Sequence, residues 1–342
     1  MRYFELGNTG LTISRTGFGA LPIQRVAHDD ALPILRRAYE GGINYFDTAR
    51  AYSDSEEKLG DAFFGMRDKI VISTKTQAKN AEDMWKDLAI SLEKLRTDYI
   101  DIYQFHNASR CYRPGDADGL YDAALEAKAK GMIRHIGITA HSIDVAFEAV
   151  ESGLYETLQY PFSHLAVARE VELVKLCQEK GVGFIAMKAL SGGLVTDARL
   201  PFVYLDQFPG VVPIWGIQRM WELEQILDFS NNTPEMTEEL AQAIDKDRRE
   251  LAGAFCRSCG YCMPCPVGIE ISFANRAKQL LTRSPYQKFM TPQVAANMEK
   301  IADCIHCGVC ESRCPYNLKP YETMPAQLEW FREFYKEHGP KE

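Results

Sequence analysis

The sequence predicts an α/β protein: a closed (β/α)8 barrel of the TIM type, followed by a smaller, mainly α-helical unit rich in cysteine. Three observations carry that reading. Short apolar runs alternate with amphipathic helical stretches eight times between Thr16 and Asn232, and such alternation demands a parallel sheet with right-handed crossovers. The 342 residues exceed the roughly 250 of one barrel by about the length of a small added domain. Eight of the ten cysteines lie in two tight groups after Phe255.

Taken in order, the opening RYFELGNTGLTIS holds two short alternating runs around Gly7 to Gly10, the pattern of a hairpin able to plug one end of a barrel. The βα units follow. They pair TGFGALPI with DDALPILRRAYEGG, INYFDTA with SEEKLGDAFF, KIVISTKT with AEDMWKDLAISLEKLR, and YIDIYQFH with DGLYDAALEAKAKG. Next come RHIGITA with SIDVAFEAVESG, TLQYPF with AREVELVKLCQEKG, VGFIAMKAL with a less regular stretch, and VVPIWGIQ with MWELEQILDF. An open, doubly wound sheet is the alternative, resting on Gly17-Phe18-Gly19 after the first strand. That run meets Pro22 where a dinucleotide fingerprint needs a third glycine opening a helix, so glycines at a crowded strand end are the simpler reading.

Beyond Asn232 the rhythm stops. MTEELAQAIDKDRRELAGAF reads as a helical connector, which places the domain limits at 1–232, 233–255 and 256–342. Between the cysteine groups the chain is helix-rich with breaks at Pro285 and Pro292, and the tail PAQLEWFREFYKEHG has aromatic residues at the spacing of a docking helix.

Composition narrows the function classes. Hydrophobic residues make up 46% and charged residues 25%, enough apolar matter for a sizeable core. A formal net charge of −8 without a basic cluster argues against nucleic acid or an anionic membrane as the main partner. The start MRYFELGNTG lacks a basic region followed by an apolar run, and no stretch reaches the roughly 18 apolar residues of a membrane span, so the expected location is cytoplasmic. Cys111 and Cys177 stand alone and read as ordinary core or loop thiols.

The chemistry concentrates where successive barrel strands end, since active sites gather at the C-terminal face of such barrels. The second strand supplies Asp47 with Tyr52 just beyond, the third ends in Lys75, and the fourth ends in His106. An ammonium at Lys75 stabilises a phenolate at Tyr52, Asp47 keeps Lys75 charged, and His106 is able to hydrogen-bond a carbonyl oxygen. Each residue alone is more often structural; four compatible groups on three adjacent strand ends favour an acid for C=O reduction.

The set FDTARAY, STK and YQFH in this pattern resembles the aldo-keto reductases over about residues 1 to 232. The resemblance implies a catalytic tetrad of Asp47, Tyr52, Lys75 and His106, with Tyr52 as general acid, and a nicotinamide cofactor, NADP(H) or NAD(H), across the barrel mouth. It further implies that Gln159 meets the carboxamide and that ALSGGLV, with Ser191, Gly193 and Leu194, meets the pyrophosphate. Gly216, Arg219 and Glu224 fall on the adenosine side. The family's Ser-Asn pair after the fifth strand appears here as Thr139-Ala140-His141, making His141 a further candidate. The aromatic residue that often stacks on nicotinamide is replaced near Met187-Lys188, which leaves Lys188 as the candidate contact. Only Arg219 is at hand for a 2′-phosphate, so the choice between the two nucleotides stays open.

The cysteine groups are C-R-S-C-G-Y-C-M-P-C-P, from Cys256 to Pro266, and C-I-H-C-G-V-C-E-S-R-C-P, from Cys304 to Pro315. Thiolates three residues apart in a tight loop reach three corners of one cubane, while a Cys-Pro beyond them is directed at a second cluster. Structural zinc, with its simpler four-ligand arrangement, is the weaker alternative. By the interleaved ferredoxin rule, one 4Fe-4S cluster takes Cys256, Cys259, Cys262 and Cys314, and the other Cys304, Cys307, Cys310 and Cys265. The first group departs from the usual run, since only Met263 and Pro264 separate Cys262 from Cys265.

As a whole the chain resembles the iron-sulfur branch of the aldo-keto reductases, with a ferredoxin-type module last. The implied activity is reduction of a small-molecule carbonyl, or oxidation of an alcohol, coupled through two 4Fe-4S clusters to an electron-transfer protein. Clusters that merely staple the last segment, and a non-catalytic redox sensor or electron carrier with a nucleotide-binding barrel, are the alternatives.

Overall fold

The computed structural model describes residues 1–251, 255–283 and 286–340. The chain forms two compact units, Met1–Ala189 with Arg199–Leu240, and Leu190–Ala198 with Ala241–Glu342.

The first unit opens with β1 (Tyr3–Glu5) and β2 (Thr12–Ser14), an antiparallel pair in the register Tyr3↔Ser14 and Glu5↔Thr12. The repeat follows as β3 (Gly17–Gly19), α1 (His28–Glu40), β4 (Tyr45–Asp47), α2 (Ser55–Ala62), β5 (Val71–Thr76), α3 (Ala81–Lys94), β6 (Ile100–Phe105) and α4 (Leu120–Ala129). It continues as β7 (Ile133–Thr139), α5 (Ile143–Glu151), β8 (Thr157–Pro161), α6 (Ala168–Lys180), β9 (Gly183–Met187), α7 (Arg199–Leu205), β10 (Val211–Gly216) and α8 (Met220–Asn231). Strands β3 to β10 close in sequence order, β10 pairing parallel with β3.

Strands β5 and β6 are buried at every residue, as expected where one face meets the barrel interior and the other the helical ring. The hairpin is the plug that the alternation suggested: Leu6 and Ile13 are fully buried with Tyr45, Ile102, Ile185, Val212 and Ile214. A Cβ added to Gly183 would lie 2.5 Å from Leu6 Cγ, so glycine lets the plug seat against β9. The Gly17-Phe18-Gly19 run is likewise a crowded strand. A Cβ on Gly17 would meet the Tyr45 ring at 2.8 Å, and one on Gly19 the Trp215 carbonyl oxygen at 3.1 Å.

The second unit is helical: α9 (Glu238–Glu250) from Ala241 on, α10 (Ile271–Ala274), α11 (Ala277–Arg283), α12 (Pro292–Glu299), α13 (Val309–Ser312) and α14 (Pro320–His338). The expected connector helix is α9; residues 252–254 of that stretch, and the expected break at Pro285, lie outside the described residues. Pro292 opens α12 rather than merely breaking the chain, because its fixed φ and missing N–H suit a first helical turn, and Thr291 Oγ1 accepts the Val294 N–H at 3.2 Å. The tail helix starts at Pro320, earlier than its aromatic residues suggest, and carries Pro325 inside. Its buried face, Pro320, Met324, Leu328 and Phe331, recurs every three to four residues. That face belongs to a core with Ile269, Ile271, Ala277, Leu281, Met298 and Ile301.

Candidate active site and cysteine centres

Register brings the first four candidates to one end of the barrel. Asp47 ends β4 and lies between Gly19 of β3 and Ser73 of β5. Lys75 pairs with Gln104 of β6, and His106, just past β6, donates its N–H to the Thr76 carbonyl at 2.8 Å. Tyr52 sits in the turn after β4, where the Ser55 N–H donates to its carbonyl at 2.8 Å.

The side chains converge. Lys75 Nζ donates to Asp47 Oδ1 and to the Thr48 carbonyl, each at 2.6 Å, and stands 5.3 Å from the centre of the Tyr52 ring. The Tyr52 and His106 rings meet edge to face at 5.7 Å. Asp47 and Lys75 are 2% and 1% exposed, so each charge depends on the other and on local donors. Burial pulls the Lys75 ammonium down from its ordinary value, while Asp47, and behind it Glu56, hold it up. His106 is pushed down to about 3 by burial and by the Lys75 charge, which keeps the imidazole neutral near pH 7. Its Nδ1 is buried without a hydrogen-bond partner.

Sequence reasoning missed the groups that hold this arrangement. Ser73 Oγ donates to Asp47 Oδ2 at 2.6 Å, Gln104 Nε2 to the same oxygen at 3.3 Å, and Tyr45 OH is 2.9 Å from Ser73 Oγ. Strand period was the available signal, since Ser73 lies two residues before Lys75 and Gln104 two before His106. A second buried carboxylate, Glu56, accepts from Thr74 at 2.6 Å and Ser91 at 2.7 Å and pairs with Arg50. Thr139 Oγ1 accepts the Asn107 N–H at 2.6 Å, fixing the left-handed residue after His106.

The expected cofactor contacts are spread more widely. Gln159 is buried, accepts from Gln104 at 3.0 Å and reaches Asp47 Oδ1 at 3.5 Å, which ties it to the Asp47–Lys75 pair. His141 is buried beyond β7, next to Ala140, whose N–H donates to the Gln159 carbonyl at 3.1 Å. Lys188 follows β9 with φ 59°. Ser191, Gly193 and Leu194 sit in the Leu190–Ala198 segment of the second unit, with φ 49° at Ser191 and 88° at Gly193. Gly216 ends β10, exposed, and Arg219 precedes α8, its N–H donating to Glu222 at 3.1 Å. Glu224 is engaged elsewhere, accepting two hydrogen bonds from Arg37 at 2.8 and 2.9 Å.

In the second unit the eight clustered cysteines ring two cavities. Cys256, Cys259, Cys262 and Cys314 line one with Tyr316 and Leu318. Cys265, Cys304, Cys307 and Cys310 line the other, with Cys262, Val309 and Tyr321 at its wall. Cys262 lines both, so the two expected quartets share one cysteine between their cavities. The Ser258 N–H donates to Cys256 Sγ at 3.4 Å. The Tyr321 N–H, in the first turn of α14, favours a thiolate at Cys310, against burial, which raises that thiol. Burial pushes the Cys262 thiol up to about 12, helped by the charges of Cys256, Cys259 and Cys314. Among the described residues no three ligating side chains converge on a single metal ion. Cys111 and Cys177 are buried, the latter's thiol raised to about 12 by burial alone. Among the described residues no helix is long and apolar enough to cross a membrane.

Comparison with known proteins bears on both parts. The model of the aldo/keto reductase family matches residues 15–203, and that of a 4Fe-4S dicluster domain matches residues 255–319. L-galactose dehydrogenase of Arabidopsis thaliana is 32% identical over 220 residues, 57% of this chain and 67% of that protein. The NADH-specific methylglyoxal reductase of Escherichia coli is 28% identical over 242 residues, 61% of this chain and 72% of that one. Among solved structures, a holo-form aldo-keto reductase from Bacillus halodurans superposes with a TM-score of 0.62 at 25% identity, covering 72% of this chain and 96% of that one. An aldo-keto reductase from Klebsiella pneumoniae in complex with NADPH shares the fold, with a TM-score of 0.61 at 20% identity over 72% of this chain and 95% of that one.

Proposed function

The chain belongs to the aldo-keto reductase family, and from that premise we propose that it reduces a small-molecule carbonyl, or oxidises the corresponding alcohol, with Tyr52 as the proton donor. One observation carries the reading: the Lys75 ammonium, held by Asp47 at 2.6 Å, stands 5.3 Å from the Tyr52 ring, which also meets the neutral imidazole of His106 edge to face.

The residues divide the work by charge. A nearby cation favours the phenolate, so Lys75 makes the Tyr52 proton easier to give to a developing alkoxide. Asp47 keeps that cation in place, with Ser73 and Gln104 holding the carboxylate. With Nδ1 of His106 unpartnered, the proton of the neutral ring belongs on Nε2, able to donate to the substrate oxygen as charge grows on it.

A nicotinamide nucleotide supplies the hydride when bound, and the residues present fit one. Gln159 offers an amide beside the acid–base group, and Lys188, Ser191, Gly192 and Gly193 all have left-handed backbone, which lets a loop turn its amides toward a phosphate. NADP(H) and NAD(H) are both compatible, Arg219 being the cation nearest in sequence to the adenosine-side segment.

The cysteine cavities fit two 4Fe-4S clusters, which supply one-electron exchange with an electron-transfer protein. The chemistry of the donor set supports that: the Cys256 and Cys262 thiols, whose charged forms are disfavoured by burial and by neighbouring cysteines, need a cationic centre to hold them as thiolates. The first cluster would be held by Cys256, Cys259, Cys262 and Cys314, the second by Cys265, Cys304, Cys307 and Cys310.

The test is turnover of an aldehyde, ketone and sugar panel by anaerobically purified holoprotein, beside Tyr52→Phe. Loss of turnover in the variant with nucleotide binding retained supports the proposal. Equal turnover, or no turnover of any substrate by the unaltered protein, sinks it.

A further inference from the structure

The glycine loop after β9 is built into the iron-sulfur module. Residues Leu190–Ala198 belong to the second unit, and two arginines of that unit grip them. Arg276, just before α11, donates from Nη1 to the Gly192 carbonyl at 2.9 Å. Arg283, two turns on at the end of α11, donates from Nε to the Leu194 carbonyl at 3.0 Å. The two arginines thus flank α11, and their acceptors are two residues apart.

Neither arginine is a casual surface contact. Arg276 is 8% exposed, and Arg283 is itself held by Asp247 and Glu250 of α9. Gly192 also abuts the turn between the first two cysteines of the first group. A Cβ there would lie 3.1 Å from the Arg257 carbonyl oxygen, 3.2 Å from Arg276 Nη1 and 3.5 Å from Ser258 Cβ, at φ 67°. Ser258 is the residue whose N–H bonds Cys256 Sγ, and Arg276 and Cys256 interact electrostatically. One guanidinium and one glycine thus join the ligand loop of the first quartet to the loop after β9.

We propose that Arg276 is a positioning residue for the nicotinamide nucleotide: it locks Ser191–Leu194 against the Cys256–Cys259 loop, so the nucleotide's phosphates are received by a loop whose shape the iron-sulfur module sets. This rests on the reading that the Ser191–Leu194 loop receives the pyrophosphate. A free loop of several glycines loses backbone freedom when a ligand orders it, and one already fastened loses less.

The experiment measures NADPH and NADH affinity by fluorescence on holoprotein, with iron content and visible spectrum recorded for each sample. Arg276→Ala is expected to weaken binding about tenfold or more with iron and spectrum unchanged, and Arg276→Lys, which keeps a donor for the Gly192 carbonyl, to recover most of it. Gly192→Ala, which alters no cysteine and no arginine, is expected to weaken binding similarly and decides the matter if Arg276→Ala loses iron. Affinity within twofold of the unaltered protein in iron-replete variants overturns the inference and leaves the catalytic proposal standing. Absence of nucleotide binding by the unaltered holoprotein overturns both.

Discussion

Replacing Lys75 with methionine separates what the buried pair does for stability from what it does for chemistry. The substitution strands the Asp47 carboxylate, 2% exposed, in the barrel mouth. Removing one partner of a buried ion pair costs about 3–5 kcal/mol. Ser73, Gln104 and Gln159 still donate to Asp47 at 2.6, 3.3 and 3.5 Å, which puts the expected cost at the lower end, about 3 kcal/mol. For a domain of this size, where each kcal/mol moves the midpoint by roughly 2–4 °C, the barrel should melt roughly 6–12 °C lower. Carbonyl reduction should fall by about 10²–10⁴, the usual scale of lost general-acid assistance. The double variant Asp47→Asn with Lys75→Met removes the stranded charge but keeps an acceptor for Ser73, so at least half of the lost stability should return while turnover does not. The assay is thermal unfolding followed by tryptophan fluorescence, with Trp85, Trp215 and Trp221 in the barrel, alongside turnover of the best substrate from the panel. A single variant as stable as the parent, or a double variant that regains activity, would refute the assignment of the cation to Lys75.

Other outcomes follow from the same geometry. Tyr52→Phe should reduce kcat by about 10²–10⁴ while nucleotide affinity, read by fluorescence, changes little. His106, whose ordinary value of 6.5 is lowered to about 3 in the fold, binds a proton in the unfolded chain before it does so in the folded one. Its contribution to stability is therefore complete above pH 6.5 and is lost as pH falls toward 3, by on the order of a few kcal/mol. Denaturant midpoints at pH 5 and pH 7.5 should differ more for the parent than for His106→Gln. Iron analysis of anaerobic protein should give about eight irons per chain, and Cys307→Ala, which removes the exposed ligand of the second quartet, should leave about four. Zinc in place of iron would reject the cluster assignment.

Much of this protein is written in local pattern. The barrel follows from repeats of period 2 and 3.6, each readable within a dozen residues, and all eight strands of the closed sheet lie where the apolar runs put them. The acid–base residues are legible for the same reason: strand ends of a parallel barrel all face one way, so reactive side chains there share a mouth. The 4Fe-4S domain is legible because the cysteine spacing is itself the geometric constraint. What the tertiary structure decided are contacts between residues far apart in the chain, whose individual strengths leave no periodic mark. Gln104 and Gln159 meet across 55 residues to hold Asp47, Thr139 positions the residue after His106 across 32, and Glu224, which the resemblance set beside the nucleotide, is taken by Arg37 across 187. Arg276 and Arg283 lie in the helix-rich stretch between the cysteine groups, far along the chain from ALSGGLV. Only the folded chain joins those arginines to the loop's carbonyls, across 84 and 89 residues, because which polar group a backbone carbonyl finds is settled by packing rather than by sequence neighbours.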